Sequence, residues 1–434
     1  MSASVVGLIG LLGLFVLLGL RVPVAVAMFA VGGLGSAYML GTQGAVSIFA
    51  GEAYTLANSP DLIVVPLFIL MGNLATQTGL SKRLYDAAYS WIGAFRGGLA
   101  SATVIGCAGF SCLSGSSVAT ALTMGRVSLG EMQRFGYDRK LSVGAVASGG
   151  TLGIMIPPST GFVLYAILTQ QSIGRLFLTG ILPGLLLCAL FIAAIVVIAT
   201  IWPGAGPAGP ATSLADKSRA LISALPFFLI VCNTIGGIYA GIFSPVEAAS
   251  MGATLVLLYG IATRTLGLRA LVAAMRDTVY TTAGVMLVLI SAHIFNPFLA
   301  LTRLPALTGS FLSSLEIGSL GVLCLILLTE LVLGCFLDGF AMIVLTVPVF
   351  YPIVVSLGYD PIWFGVILML VLEMSLITPP VGLNIFIVRS AAGDMALTDV
   401  YRGMTPFVVA MLAAVALLIA FPAIATILPN TMVR

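Results

Sequence analysis

"SGGTLGIMIPPSTG" (148–161) and "LITPPVGLN" (376–384) each place a Pro-Pro pair inside an otherwise apolar run. Proline removes an amide donor and clashes with the preceding helical turn. Backbone groups left bare in lipid cost several kcal/mol each. Whether these runs lie in a membrane, and what a broken helix does there, decides the fold.

The composition answers the first half. The chain is 60% hydrophobic and 8% charged, with a mean hydropathy of +1.18, against roughly 25% charged residues in a soluble domain. It reads as a polytopic, all-α membrane protein; 434 residues leave room for ten or more spans of about 20 residues. The first twenty residues, "MSASVVGLIGLLGLFVLLGL", lack a basic leader, and Arg21 follows the apolar run instead of preceding it. They read as a retained first helix. Six cysteines lie in apolar runs without metal-ligand spacing, and the one histidine, His293, excludes His-rich metal chemistry.

The two Pro-Pro pairs are 222 residues apart, and the same offset superposes "FGYD" (135–138) on "LGYD" (357–360). It also superposes "VPV" (22–24) on "SPV" (244–246), and Ser116-Ser117 on Asp338-Gly339. The chain is an internal duplication. Its first copy divides into scaffold spans (1–79), an amphipathic interfacial arm (80–95) and a transport half (96–202). That half contains a hairpin 97–127, a broken helix 139–171 and a helix 176–202. After a Pro/Gly-rich linker (203–218), the second copy gives a scaffold (219–301), an arm (302–316) and a transport half (317–434). Its hairpin is 318–350, its broken helix 361–391 and its last helix 405–428.

The first hairpin has apolar arms of 14 to 16 residues around "LSGSSV", too short at 1.5 Å per residue for the ~30 Å hydrocarbon core. Hairpins that enter and leave on one side leave five crossings per copy. An odd number inverts the second copy, the inverted-repeat plan of many secondary transporters. Basic residues test this independently. With both termini outside and the linker cytoplasmic, 15 of the 18 Lys and Arg residues fall inside, leaving Arg175, Arg303 and Arg434 outside. Loop 126–140 carries four basic residues and its counterpart 348–362 none, whereas loop 41–58 carries none and 263–280 three.

Irregular backbone at membrane depth is tolerated where it is buried in protein or lines a wet cavity. Four breaks should therefore converge: tips 113–118 and 335–340, and unwound spans 149–160 and 373–384. Freed carbonyls coordinate a cation, and half-helix N-termini attract an anion. Ser159 and Asn384 follow the Pro-Pro pairs and are candidates for ligand contact. Asp338, in the second tip, is read as functional more than as a helix cap. Glu373 is either a ligand or a buried hydrogen-bond partner. Glu330, Glu247 and His293 are read as structural, and Arg389 as snorkelling to the cytoplasmic face.

"SGSSVATALTMG" (114–125), "GGTLGIMIPPS" (149–159), "SIGRLFLTGILPG" (172–184) and "LITPPVGLNIF" (376–386) resemble the large membrane subunit of tripartite ATP-independent periplasmic (TRAP) transporters, the DctM-like family. The resemblance spans essentially the whole chain. It implies a non-enzymatic, multi-pass protein of the bacterial inner membrane that imports an organic anion by sodium symport with an elevator motion. It also implies a periplasmic substrate-binding protein, a separate small membrane subunit of about four helices, no cofactor beyond coupling sodium ions, and no nucleic acid. Carried onto these breaks, it assigns sodium to Ser116, Ser117, Gly150, Thr151 and Gly153, and to Asp338, Gly339, Thr378 and Pro379. Substrate falls to Ser114, Gly115, Ser159, Gly382 and Asn384. The family's second tip often reads Asp-Thr; here Asp338-Gly339 keeps the carboxylate without the hydroxyl.

A self-sufficient divalent-anion/sodium symporter shares the hairpin-and-break plan and is the alternative. An enzyme is disfavoured by the lack of a nucleophile–base set or phosphate loop. A channel is disfavoured by hairpins that open to opposite sides.

Overall fold

Helices begin where the sequence supplies a cap and end where it supplies a breaker. Ser172, Ser213 and Ser244 each accept an amide from the residue three positions on, and Asp360 accepts those of Ile362 and Trp363. In the computed structural model the described residues are 2–380, 382–393 and 395–432. Val381, inside the second expected break, and Met1 and Arg434 lie outside them. Among the described residues there are nineteen α-helices, one 3₁₀ turn (Pro60–Ile63) and no strand. Nine segments among them are long and apolar enough to cross a membrane.

The first copy runs α1 (Ala3–Gly19), α2 (Val24–Ala57), α3 (Val64–Gln77), α4 (Leu80–Ile92), α5 (Gly98–Ser114), α6 (Ser117–Arg134), α7 (Arg139–Met155), α8 (Thr160–Thr169) and α9 (Ile173–Ile201). The second runs α10 (Leu214–Tyr239), α11 (Pro245–Ala262), α12 (Leu268–Thr302), α13 (Leu304–Ser314), α14 (Gly318–Gly334), α15 (Gly339–Ser356), α16 (Pro361–Ser375), α17 (Leu383–Ala392), α18 (Leu397–Ala420) and α19 (Ala423–Thr431). Adding 222 to α5 through α8 gives 320–336, 339–356, 361–377 and 382–391, within two residues of α14 through α17. The duplication is therefore structural as well as sequential.

Several expectations are corrected. Loop 41–58 is helical: α2 kinks at Gly41 (φ 78°, ψ 170°) and continues to Ala57, since nothing from Thr42 on breaks a helix before Ser59-Pro60. Its counterpart 263–280 is likewise helical from Leu268. The hairpin arms are 17 and 18 residues, because α6 continues past its apolar part through Val127–Arg134; at about 26 Å they approach the core thickness. The linker is pinned instead of loose. Gly97 N donates to Gly206 O and Asp138 N to Ala205 O, each at 2.9 Å, and its last residues join α10. The expected last helix 405–428 is two helices: α18, which starts at Leu397 and ends at Ala420, and α19 from Ala423.

The copies interlock. Helix α2 lies along α12 and α3 along α11, while α8 packs on α15 and α17 on α6. Polar ties join the Pro-Pro-bearing halves: Tyr165 Oη donates to Pro361 O at 2.6 Å and Lys140 pairs with Asp399 at 3.0 Å. The helices of the expected scaffold have their own ties, Asn73 Nδ2 donating to Thr278 Oγ1 at 3.0 Å and His293 Nδ1 meeting Glu52 Oε2 at 2.9 Å. Helix α4 is amphipathic: it buries Leu80, Leu84, Tyr85 and Ala87 and exposes Lys82, while the half-buried Arg83 lies over the Tyr259 ring at 5.5 Å.

Candidate functional site

The breaks are shorter than expected, and this moves several residues. Helix α7 runs to Met155, so Gly150, Thr151 and Gly153 are helical, not unwound. The prolines act one turn upstream: without N–H groups, Pro157 and Pro158 give no donor to the carbonyls of Gly153 and Ile154. In the second copy the break spans the residues between Ser375 and Leu383, so Thr378, Pro379 and Gly382 lie in it. Leu376 O recovers a donor there from Asn384 N at 3.2 Å. Both Pro-Pro bonds are cis.

The first tip is seated on the first break. Gly115 adopts φ 59°, and its carbonyl accepts Thr160 Oγ1 at 2.9 Å and Thr160 N at 3.3 Å. A Cβ on Gly153 would lie 2.5 Å from Ser116 O and 2.6 Å from Ser117 Cα. Backbone meets backbone there because Gly153 has no side chain. Gly150 faces Ala121, whose Cβ is 2.7 Å from such a Cβ, with Ser117 O at 3.3 Å. Thr151 Oγ1 is turned back on Ser148 O at 2.6 Å. Ser116 and Ser159 serve as N-caps, accepting Ala119 N at 3.3 Å and Phe162 N at 3.4 Å. Ser114 Oγ pairs with Thr120 Oγ1 at 2.8 Å.

The second tip meets its own break through different residues. Cys335 Sγ donates to Pro379 O at 3.4 Å, and a Cβ on Gly334 would lie 2.7 Å from Ser375 Cβ. Ser375 is the counterpart of Gly153, but Gly334 is the counterpart of Cys112 and not of Ser116 or Ser117, so the two copies make this approach through non-equivalent residues. Gly339 faces Leu372. Asp338 Oδ1 accepts both Phe340 N and Ala341 N at 3.0 Å; the capping role ranked second in the sequence is present, and only Oδ2 is left for another ligand. Thr378 Oγ1 donates to Met374 O at 2.6 Å. Asn384 is buried, and neither side-chain atom has a partner among the described residues.

Where the scaffold meets the tips there is a cavity of about 360 Å³. Scaffold residues Asn73, Thr76 and Thr281 face Ser114, Ser116 and Thr160 across it, with Phe340 at the second tip. No charged side chain lines it among the described residues. It takes in one expected substrate residue, Ser114, and one expected sodium residue, Ser116, but not Gly115, Ser159, Gly382 or Asn384. Asn73, Thr76, Thr160 and Thr281 were missed; Thr160, directly after "PPS", carried a signal, and the scaffold residues carried none. A larger cavity, about 820 Å³, lies elsewhere, against Lys140, Trp202 and Arg402. Of the other singled-out residues, Glu247 closes a capping box with Ser244, and Arg389 Nε donates to Met395 O at 3.0 Å.

The model of the DctM component of tripartite ATP-independent periplasmic transporters matches residues 11–424. The chain belongs to this family. The large permease DctM of a C4-dicarboxylate TRAP transporter from Pseudomonas aeruginosa is 35% identical over 89% of both chains. The sialic acid TRAP transporter large permease SiaM of Vibrio cholerae is 32% identical over 85% of this chain and 86% of its own. Among solved structures, the YdaH transporter of Alcanivorax borkumensis shares the fold, with a TM-score of 0.64 over 92% of this chain and 97% of that one at 15% identity. This DctM-family chain is thus a multi-pass membrane protein; the relatives it matches are transporter permeases, not enzymes, and the family works with a periplasmic binding protein and a small membrane subunit.

Proposed function

We propose that this chain is the large permease of a TRAP system that imports an organic carboxylate into the cell by sodium symport, with an elevator motion. The observation that carries the reading is the cavity between scaffold and tips, lined by hydroxyls and an amide without a charged side chain. The N-termini of α6 and α8 open beside it at Ser116 and Thr160, and helix N-termini favour an anion without a buried countercharge. The carboxylate class is supported by relatives named for C4-dicarboxylate and for sialic acid, both carboxylates. C4-dicarboxylates or sugar acids are the substrate classes to test.

Sodium would be held where each tip meets its break. In the first copy the ligands would be Ser116, Ser117 and the backbone near the end of α7, from Gly150 and Thr151 through Gly153. In the second they are Asp338 Oδ2, Gly339 and the backbone at Thr378 and Pro379. Substrate contacts are Ser114 and Gly115, with Ser159, Gly382 and Asn384 completing them as the tips move. The scaffold (1–79, 219–301) stays fixed, the arms (80–95, 302–316) flex, and the transport halves (96–202, 317–434) travel. Both hairpins are re-entrant, a reading supported by their two-residue and four-residue tips beside the breaks and no longer by arm length. Both termini are periplasmic, in the inner membrane.

The test is reconstitution of the chain in proteoliposomes, with and without the small subunit and a carboxylate-loaded binding protein. Uptake is expected only with both partners. Saturable uptake by the chain alone would overturn this reading in favour of the self-sufficient divalent-anion symporter.

A further inference from the structure

Glu373 has no exposed surface in α16, and neither carboxylate oxygen has a hydrogen-bond partner among the described residues. None of the ion pairs among those residues includes it. The side chain beside it is Ser117, from the first tip of the other copy. The 222-residue offset superposes Glu373 on Thr151, whose hydroxyl is satisfied by Ser148 O at 2.6 Å. Divergence of the two copies has thus left a bare carboxylate where the partner copy has a satisfied hydroxyl. A carboxylate in such surroundings is either neutralised or held against a cation.

Other oxygens lie on the elements packed around Ser117 and Glu373. Ser117 Cα lies against Gly153, 2.6 Å from where a Cβ would sit. The carbonyls of Gly153 and Ile154 have lost their helical donors to the two prolines. Helix α16 packs on α7, and α17, carrying the unpartnered Asn384, packs on α6. Carboxylate, hydroxyl and main-chain carbonyl form a donor set for a hard cation.

We propose that Glu373 is the anionic ligand of the first-copy cation site, closing a cage with Ser117 Oγ and the freed carbonyls of Gly153 and Ile154. The proposal rests on the sodium reading above and deepens it. Each site then has one carboxylate: Asp338 from its own copy in the second, Glu373 from the opposite copy in the first. A cation at the first site bridges hairpin α5–α6, helix α7 and helix α16, so binding there tightens the contact between copies as well as one tip.

The experiment measures thermal unfolding of the purified complex of this chain with its small membrane subunit against sodium chloride, with choline chloride holding ionic strength constant. Sodium is expected to raise the midpoint of the unsubstituted protein saturably. Glu373→Gln, which keeps the shape and removes the charge, is expected to raise the half-saturating sodium concentration at least about tenfold, with the choline midpoint unchanged or higher. Glu330→Gln removes the other buried, unpartnered carboxylate and is expected to leave the sodium response alone. If Glu373→Gln does not fold, Ser117→Ala reads the same site and is expected to shift the response in the same direction. No sodium response in the unsubstituted complex would sink the sodium reading itself. A normal response there, with the Glu373→Gln or Ser117→Ala response unchanged, overturns this inference alone and marks a carboxylate kept protonated. Equal loss in Glu330→Gln overturns it too.

Discussion

Gly153 is the position where one methyl group tests the contact between the first tip and the first break. A Cβ there would sit 2.5 Å from Ser116 O, 2.6 Å from Ser116 C and 2.6 Å from Ser117 Cα. Ordinary contact between such atoms is about 3.5–4.0 Å, so the tip must move off by roughly 1 Å. All three atoms are backbone, and no side chain can swing aside to absorb the insertion. Overpacking of this kind costs about 1–3 kcal/mol. If the cation is held across this contact, Gly153→Ala should raise the half-saturating sodium concentration roughly 5- to 150-fold. The readouts are sodium titration of carboxylate uptake in proteoliposomes and of thermal unfolding in detergent. Gly130→Ala, in α6 with nothing within 4 Å of a new Cβ, is the control and should leave the sodium response unchanged. A Gly153→Ala protein whose sodium response stays within about twofold of the unsubstituted one would refute the reasoning.

Three further outcomes are expected. A cysteine at Ser213, in the segment between the copies, should be labelled by impermeant maleimide from the cytoplasmic face only; labelling in intact cells would invert the topology. Gly72 on α3 faces Leu113 O and Ser114 Cα, each 2.8 Å from a built Cβ, so a disulfide between cysteines at 72 and 114 should trap one access state and stop uptake. Undiminished uptake in the cross-linked protein would favour local gating over an elevator. Tyr165→Phe deletes the hydroxyl that donates to Pro361 O and should lower stability by about 1 kcal/mol, read as a fall in the unfolding midpoint with sodium affinity retained.

The parts of the fold that were legible depend on backbone chemistry that a sequence displays directly. Pro157-Pro158 and Pro379-Pro380 had to interrupt helices, and they do. Gly115 and Asp338 sit at the hairpin turns because one tolerates φ > 0 and the other caps the next helix. The extent of each break was not legible. Proline removes donors from carbonyls four residues upstream without ending the helix there, so Gly150 and Thr151 stay helical while the carbonyls of Gly153 and Ile154 lose theirs. The stretch Thr42–Ala57 was read as loop, yet it is helix, and its Glu52 meets His293 of α12. Contacts between non-equivalent residues of the two copies were beyond reach. Nothing in the order of residues brings Ser117 to Glu373, or the scaffold's Asn73 and Thr281 to Thr160. The visible signal for Glu373 was a carboxylate where apolar surroundings make it expensive; its neighbour came only from the fold.

The most direct measurement of the central claim is carboxylate uptake under imposed sodium gradients. Proteoliposomes containing the chain and its small membrane subunit receive a carboxylate-loaded binding protein outside, with the membrane potential clamped at zero. An inward sodium gradient should drive accumulation above the equilibrium level, and equal sodium on both sides should allow equilibration only. Accumulation that is the same with and without the sodium gradient would contradict the account, because the oxygens gathered at Gly153, Ser117 and Asp338 would then hold no coupling ion.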